Sequence, residues 1–356
     1  MQFPIRKVLK TFRLIILILL LICFFVFLLF HLAGFQNGKR LEIGILVVLN
    51  ENTDARQYDL ALKSVECYAK IHGYQFITAR DTGPENIYQC SQVDVRKLFR
   101  RHCIAAKILL DYDVMMFLDA DIGVVNPKRK IEEFIEKRVN VIFYDRFQNW
   151  EIATGSYIAR NTKFSVDLLN EFANYEVRLP KSLHGSDNGA IHMFLAEKLT
   201  PKSSPKLEKC RKFYEKSKSY EDLFTFEACI RDLLGDSIDF GKIRILEKGT
   251  SWVRDGWLTK SQWHPGIDFM LHGWKSWQLR GIPQNGLRPL PISKNRWYSP
   301  FSGNFDLEKC KPGNVTWNYD LRVLGNKEEI LQTLKKIRVD IEIMKRKSFA
   351  RLDGDY

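Results

Sequence analysis

Apolar and polar positions follow two different periods along the chain, and these periods predict alternating strands and helices. Short apolar runs such as "LEIGILVVLN" are typical of buried strands, whereas apolar residues three and four positions apart indicate helices. Such an alternation predicts an α/β fold with a parallel or mostly parallel sheet and helices on both faces. The predicted elements are strand 41–50, helix 56–72, strand 74–79, helix 94–110, strand 114–118, helix 127–137 and strand 139–143.

The pattern becomes less regular after residue 200. A helix is predicted near residues 221–234, and a charged helical pattern covers residues 327–347. Residues 249–303 are rich in Trp, Gly and Pro, which predicts irregular packed loops.

The first long apolar run predicts a membrane anchor. Residues 14–33 contain no acidic residue, Lys or Arg, and a helix of this length spans a hydrocarbon core of about 30 Å. A cleaved signal peptide is the alternative, but its apolar region is usually about 7–15 residues long. Basic residues precede the run, which predicts a type II orientation. The predicted organisation is a cytoplasmic tail (1–13), a transmembrane signal anchor (14–34), a short stem (35–42), a lumenal domain (43–325) and a C-terminal charged helix and tail (326–356).

The cysteines agree with a lumenal position. Cys23 lies within the apolar run, and the even number that follows permits three disulfides in an oxidising compartment. Asn314-Val-Thr316 is a glycosylation sequon. The six later cysteines are Cys67, Cys90, Cys103, Cys210, Cys229 and Cys310.

Composition adds little to this picture. Apolar residues make up 45% of the 356 residues and charged residues 27%, which is typical of a globular protein. The net charge of +13 favours anionic partners such as nucleotide diphosphates or a membrane surface, although a solvated lysine-rich surface has the same composition. No nucleic-acid partner is predicted.

The predicted buried strand 114–118 runs directly into Asp119-Ala-Asp121. Two carboxylates so close together are costly to bury unless a cation lies between them. We therefore interpret the pair as a divalent-cation site that handles the diphosphate of a nucleotide-sugar. The alternatives are a pair of solvated turn carboxylates and an aspartyl-phosphate phosphatase, although Gly123 stands where such a phosphatase usually has Thr or Val.

A third cation ligand is expected in "DFMLHGWK". His272 follows an apparent short strand, and Lys275 adds a cation that suits a phosphate. Lone histidines are usually structural, but an imidazole beside carboxylates favours Mn²⁺ over Mg²⁺.

Two further polar motifs have ordinary structural interpretations. Thr154-Gly155-Ser156 is compatible with a tight turn, although Gly155 would also allow a ligand to approach the backbone. Ser186 or Asp187 is placed at a helix N-terminus, where a capping carboxylate is common. The functional interpretation is that Asp187 and Asn188 point into the cleft of the sheet, against a sugar ring.

Together these motifs resemble a glycosyltransferase of the GT-A fold. The chain is similar to a nematode-expanded family of nucleotide-diphospho-sugar-transferase-like proteins, distantly similar to fungal Golgi galactosyl- and mannosyltransferases and plant xyloglucan xylosyltransferases. The resemblance implies a Rossmann-like mixed sheet with helices on both faces, in addition to the N-terminal transmembrane helix. The segments that carry it are "ECYAKIHGYQFI", "AAKILLDYDVMMFLDADIGVVNP", "TGSYIARN", "SDNGAIH" and "DFMLHGWK".

The resemblance also implies roles for individual residues. Asp121 would bind the metal directly, Asp119 would lie near both the metal and the ribose, and His272 would be the third ligand. Lys275 would contact the diphosphate, and Lys107 would face the donor sugar or phosphate.

On the acceptor side, the resemblance implies a second group of residues. Gly155 and Ser156 would border the sugar and acceptor cleft. Asp187 and Asn188 would stand near the reacting carbon, as the predicted catalytic pair, and transfer would proceed with retention of configuration.

The predicted function is therefore a membrane-anchored, metal-dependent glycosyltransferase. It would move a hexose or pentose from a nucleotide-diphosphate sugar to a hydroxyl of a glycan or glycoprotein, in the Golgi or endoplasmic reticulum membrane. The alternative is a catalytically inactive lumenal scaffold of the same fold that binds sugar nucleotides or glycans.

Overall fold

The fold is taken from a computed structural model that divides into two compact units, residues 1–41 and residues 42–356. The residues it describes are 15–27, 40–81, 88–90, 98–235, 238–280, 297–303 and 305–354.

In the first unit, residues 15–27 form a helix, α1, whose apolar side chains are exposed. The rest of the predicted anchor, residue 14 and residues 28–34, lies outside the described residues, as do the predicted tail (1–13) and most of the predicted stem. Within the described part of the chain, no helix is both long and apolar enough to cross a membrane.

The second unit is built on a mixed six-stranded sheet with the strand order β2-β1-β3-β6-β5-β7. Strands β1, β2 and β3 are parallel, β6 is antiparallel to both β3 and β5, and β7 is parallel to β5. The antiparallel β6 confirms the mixed sheet that the resemblance implies, whereas the alternation of strands and helices alone predicted a mostly parallel sheet. These strands are β1 (Ile43–Asn50), β2 (Gln75–Asp81), β3 (Val114–Leu118), β5 (Val141–Tyr144), β6 (Ser156–Arg160) and β7 (Ile243–Leu246).

A second sheet of three short strands has the order β4-β9-β8. Strand β4 (Ile122–Val124) begins four residues after β3 ends, and it pairs antiparallel with β9 (Met270–His272). Strand β8 (Val253–Asp255) is parallel to β9. A parallel pair of two-residue strands, β10 (Leu279–Arg280) and β11 (Trp297–Tyr298), follows.

Helices cover both faces of the large sheet, as predicted. Met115 and Phe117 of β3 belong to one apolar core, whereas Met116 and Leu118 belong to the other. A strand that is buried on both faces needs a continuous apolar run, which explains why residues 114–118 show no alternation. The helices are α2 (Asp59–His72), α3 (Arg100–Ile108), α4 (Lys163–Ala173), α5 (Ser186–Leu199), α6 (Pro205–Lys216), α7 (Tyr220–Leu234) and α8 (Lys327–Gly354).

The helix predicted over residues 127–137 is wrong. A turn and a short 3₁₀ helix, Ile131–Phe134, occupy this segment. The Asn126 side-chain amide group donates to the carbonyl oxygens of Pro265 and Asp268, and its side-chain oxygen accepts from the Lys128 N–H. Asn126 therefore ties this turn to the segment that leads into β9.

The helix predicted over residues 94–110 begins later within the described residues. Helix α3 starts at Arg100 and continues as a 3₁₀ turn to Asp111, and residues 94–97 lie outside the described part. The prediction near residues 221–234 is confirmed by α7, and the charged pattern at 327–347 is confirmed by α8, which extends further.

The prediction of three disulfides is confirmed, whereas Cys23 is a free and exposed thiol. The bond between Cys67 and Cys310 joins α2 to the segment before α8 across 243 residues. The other two bonds are Cys90–Cys103 and Cys210–Cys229.

Candidate functional site

The site lies where the large sheet gives way to the small one. Strand β3 ends at Leu118, and the turn Asp119–Asp121 leads directly into β4. The register of β4 on β9 sets Ile122 opposite His272, one residue after Asp121. The backbone N–H groups of Gly273 and Trp274 donate to the carbonyl oxygen of Asp121, which fixes the two segments together.

This arrangement brings together three of the predicted residues. Asp119, Asp121 and His272 each offer one ligand atom, and these atoms all lie within 4.8 Å of one another. The His272 Nε2 lies 3.2 Å from Asp121 Oδ1, and the Lys275 Nζ lies 3.5 Å from Asp121 Oδ2. Two carboxylates and an imidazole therefore converge beside a lysine.

The imidazole of His272 is held from behind by a buried carboxylate. His272 Nδ1 lies 2.8 Å from Asp255 Oδ1, and Asp255 also accepts a hydrogen bond from Arg146. Arg146 in turn pairs with Glu151 at 3.0 Å. A hydrogen bond from Nδ1 directs Nε2 towards the Asp119–Asp121 turn.

Asp119 faces a different set of partners. Arg101 on α3 lies between Asp119, at 2.5 Å, and Asp187, at 2.6 Å, so one guanidinium joins two carboxylates. His102 Nε2 lies 3.2 Å from the same Asp187 oxygen. Asp187 is only 1% exposed and stands in the first turn of α5.

Gly155 packs directly under Asp119. A Cβ atom at this position would lie 2.2 Å from Asp119 Oδ2, so a larger residue cannot replace glycine without moving the carboxylate. The Gly155 carbonyl oxygen also accepts a hydrogen bond of 2.6 Å from the Asp119 backbone N–H. The adjacent Thr154 hydroxyl donates to the side-chain carbonyl of Asn188. The Thr-Gly-Ser segment therefore fixes the position of Asp119 through Gly155 and contacts the first turn of α5 through Thr154.

The two aspartates of the turn titrate in opposite directions. Burial, opposed by Arg101 and reinforced by the charge of Asp121, raises the pKa of Asp119. Burial acts in the same sense on Asp121, but the charge and hydrogen bond of His272 hold the pKa of Asp121 well below its usual range. Burial lowers the pKa of His272, but Asp121 and Asp255 outweigh this and raise it to about 10.

The carboxylates behind the turn are held in their charged form. Burial disfavours the charge of Asp187, but Arg101 and His102 lower its pKa. Asp255 behaves in the same way, because Arg146 and His272 outweigh burial and lower its pKa.

Two predicted site residues do not join this cluster. Ser156 is fully buried, and its hydroxyl accepts a hydrogen bond of 2.8 Å from Trp252 Nε1 in the core. Lys107 is exposed on α3, whereas Arg101 is the basic side chain of that helix that reaches the carboxylates. The roles predicted for Ser156 and Lys107 stay predictions.

Sequence reasoning missed Arg101, Asp255 and Arg146. Arg101 precedes Lys107 by about two helical turns, in "RRHC", where nothing in the local pattern marks it. Asp255 ends the short strand β8, but Arg254 precedes it, so no apolar run marks Asp255 as the run before Asp119 marks that residue.

The donor set suits a divalent cation. Carboxylate oxygens and a neutral imidazole nitrogen are typical ligands of Mn²⁺ and its neighbours in the first transition row. His272 has the outer partner, Asp255, that metal-bound histidines usually have. A cation bound here would share the Asp119 carboxylate with the guanidinium of Arg101.

Comparison with protein families assigns the chain to one of them. Residues 65–289, more than half of the chain, match the family described as "Protein of unknown function, DUF273", and the chain belongs to that family. A comparison with curated proteins found no match. The finer resemblance to the nematode-expanded sugar-transferase-like family stays a prediction.

Several solved structures are similar in outline. A glycosyltransferase involved in the glycosylation of the major capsid of PBCV-1 is 16% identical, with 66% of this chain and 95% of that chain covered and a TM-score of 0.37. The glycosyltransferase GlyE of Streptococcus pneumoniae TIGR4 is 14% identical, with 44% of each chain covered and a TM-score of 0.31. TM-scores this low do not establish a shared fold, so the architecture rests on the strands and helices described above.

Proposed function

We propose that this chain is a metal-dependent glycosyltransferase that uses a nucleotide-diphosphate sugar. The observation that carries the proposal is the convergence of Asp119, Asp121 and His272 within 4.8 Å at the carboxyl end of β3. In open α/β sheets, ligands bind in the crevice at this end of the strands. The sequence motifs around the same residues are those that resemble GT-A enzymes, which supports the choice of reaction.

Asp119, Asp121 and His272 would hold a divalent cation, with Mn²⁺ favoured over Mg²⁺ by the imidazole. Such an ion would act as a Lewis acid that stabilises the negative charge developing on the leaving nucleotide. Lys275, 3.5 Å from Asp121 and 37% exposed at the side chain, would bind the diphosphate. The cationic Lys275 then also offsets the negative charge that the diphosphate adds.

The transfer breaks the bond between the anomeric carbon and the diphosphate oxygen, and the electron pair leaves with the diphosphate. A new bond forms from the anomeric carbon to an acceptor hydroxyl, whose proton passes to the leaving diphosphate. We assign Asp187 to holding Arg101 in the cleft, because Asp187 is buried and bonded to two Arg101 nitrogens. Asn188 is half-buried, and its side-chain carbonyl accepts a hydrogen bond from Thr154. We also propose that transfer proceeds with retention of configuration.

The test is donor turnover by the full chain with UDP- and GDP-sugars of hexoses and pentoses, each with and without Mn²⁺. We expect metal-dependent release of one nucleotide, with an anomeric product of retained configuration by NMR. Metal-dependent nucleotide binding without hydrolysis or transfer would instead favour the inactive scaffold. Absence of both binding and turnover would overturn the proposal.

We further propose that residues 39–356 lie in the lumen of the Golgi or endoplasmic reticulum, anchored by residues 14–34. The three disulfides support this, since disulfides persist in oxidising compartments. Asn314 stands in a turn in which its side-chain oxygen accepts from the Thr316 N–H, and Thr316 is exposed. Expression in a secretory host should add a glycan that a glycosidase removes. Thr316→Ala should abolish the glycan and Thr316→Ser should keep it; an unglycosylated wild type would contradict the lumenal position.

A further inference from the structure

The metal-ligand candidate His272 is the first member of a partly buried network of alternating charges. Asp255 accepts from His272 Nδ1, Arg146 donates to Asp255, and Arg146 also donates to Glu151. The three contacts measure 2.8, 2.8 and 3.0 Å. We propose that Asp255, backed by Arg146 and Glu151, is a positioning residue that orients His272 Nε2 for a divalent cation; this rests on the proposed function.

The direction of the hydrogen bond is the first step of the argument. An imidazole that donates from Nδ1 presents the lone pair of Nε2 for a ligand. In this protein Nε2 is the atom that faces Asp121, at 3.2 Å, so the ring is already turned towards the proposed cation. The Asp255 carboxylate is 4% exposed at its side chain, and water therefore competes little for this hydrogen bond.

Arg146 is itself fixed in place, which limits the motion of Asp255. Its guanidinium pairs with two carboxylates and lies 5.8 Å from the ring centroid of Trp257. The Lys248 ammonium donates to the backbone carbonyl of Arg146 at 2.7 Å, and Trp257 donates to Gln148 two residues further on. The loop that carries Arg146 is thus held from several sides.

The positive charge of Arg146 explains its place in this network of charged side chains. A carboxylate buried behind a metal-bound imidazole needs a cation of its own, since burial of an unpaired charge is costly. Arg146 supplies that cation, and Glu151 completes the alternation of sign from Asp121 to Glu151. The arrangement keeps Asp255 ionised, so that it remains an acceptor for His272.

The same small sheet contains a matched buried ion pair that does not touch His272. Arg254 on β8 contacts Asp268, just before β9, at 2.7 and 3.0 Å, and both residues are buried. A variant of Asp268 therefore loses a buried charge next to the same strands without altering the imidazole. It separates a positioning role of Asp255 from general support of the sheet.

The experiment compares full-length wild type, Asp255→Asn and Asp268→Asn for binding of Mn²⁺ alone, by calorimetry or electron paramagnetic resonance. Outer partners of metal-bound histidines typically contribute about 10–100-fold to metal affinity. We expect a weakening in that range for Asp255→Asn and an unchanged affinity for Asp268→Asn, even though both lower the melting temperature. Co²⁺ in place of Mn²⁺ should give a visible spectrum that is shifted in Asp255→Asn and not in Asp268→Asn.

Arg146→Gln provides a second variant in case Asp255→Asn does not fold, and it should weaken Mn²⁺ binding in the same direction. Wild-type affinity and an unshifted Co²⁺ spectrum in Asp255→Asn or Arg146→Gln would overturn the positioning role alone. Equal weakening in Asp268→Asn would also overturn it, because support of the sheet would then explain the effect. A wild-type chain that binds no Mn²⁺ would overturn the proposed function together with this inference.

Discussion

The two aspartates of the Asp119–Asp121 turn stand two residues apart, yet their surroundings differ in kind. Asp119 shares Arg101 with Asp187, so its charge is already neutralised by a fixed side chain of α3. Asp121 faces His272 and Lys275, which lie in and just after β9 and are more exposed than Arg101. One side of the turn is a closed ion triad, and the other is open to a ligand.

The two sides of this short motif therefore differ in role: the Asp119 side stabilises the conformation of the turn, and the Asp121 side is the one proposed to bind a ligand. A fixed guanidinium stabilises the turn without any ligand, whereas an imidazole can exchange its proton for a metal ion. We therefore expect changes on the Asp119 side to appear mainly in folding stability, and changes on the Asp121 side mainly in metal and nucleotide binding.

Removal of Arg101 should have the largest effect. Arg101→Met leaves Asp119 and the buried Asp187 without their cation, and loss of one partner from a buried ion pair typically costs about 3–5 kcal/mol. Urea denaturation of wild type and variant measures this loss. The control is Arg138→Met, since Arg138 is 63% exposed in its ion pair with Asp239, and its change should stay below about 1 kcal/mol. Similar values for the two variants would contradict the closed triad.

Asp121→Ala should instead act on binding. We expect Mn²⁺-dependent nucleotide affinity to fall by at least about 100-fold, equivalent to about 2.7 kcal/mol, because a direct ligand is lost. Calorimetry with UDP or GDP and Mn²⁺ measures the affinity, and circular dichroism checks that the fold is intact. Asp111→Ala, at an exposed acid before β3, serves as the control. Unchanged affinity in Asp121→Ala would remove the metal-site assignment.

Gly155→Ala tests the Asp119 side by sterics alone, because the added methyl group would displace the Asp119 carboxylate without changing any charge. The added methyl would lie 2.2 Å from Asp119 Oδ2, and overpacking of this kind usually costs about 1–3 kcal/mol. We expect a lower melting temperature and a weaker response to Mn²⁺. Gly256→Ala is the control, since its nearest neighbour, the His272 carbonyl oxygen, would be at an ordinary 3.4 Å. Wild-type behaviour of Gly155→Ala would show that Asp119 adjusts freely.

The smallest effect, when taken for a change of one pH unit, concerns the pH dependence of Mn²⁺ binding. Burial lowers the pKa of His272, but Asp121 and Asp255 raise it to about 10, so the ring carries a proton that a metal ion must displace. Raising the pH removes this competitor, and Mn²⁺ affinity should rise about tenfold per pH unit between pH 6 and 9. Calorimetry in buffers of different ionisation enthalpy counts the released proton. A pH-independent affinity would contradict proton displacement at His272.

Much of the fold could be predicted from the sequence because the strongest sequence signals are local. The fully apolar run 114–118 needed no partner to be interpreted as a strand, and Asp119 and Asp121 follow it directly. Arg101 and Asp255 could not be found in this way, because their partners lie 18 and 17 residues away and meet them only after the sheets form. The wrong helix at residues 127–137 has the same origin, since Asn126 bonds across 139 and 142 residues.

The bond between Cys67 and Cys310 turns most of the domain into a covalent ring with two tails. Asp119, Asp187, Asp255 and His272 all lie inside this ring, whereas β1 and α8 belong to the tails. A single protease cut between the two cysteines opens the ring without releasing any piece. The nicked protein should therefore migrate as one chain on a non-reducing gel and as two fragments after reduction. Force applied between the two termini would likewise pass from Cys67 to Cys310 through the disulfide, so that the residues inside the ring would be shielded from it.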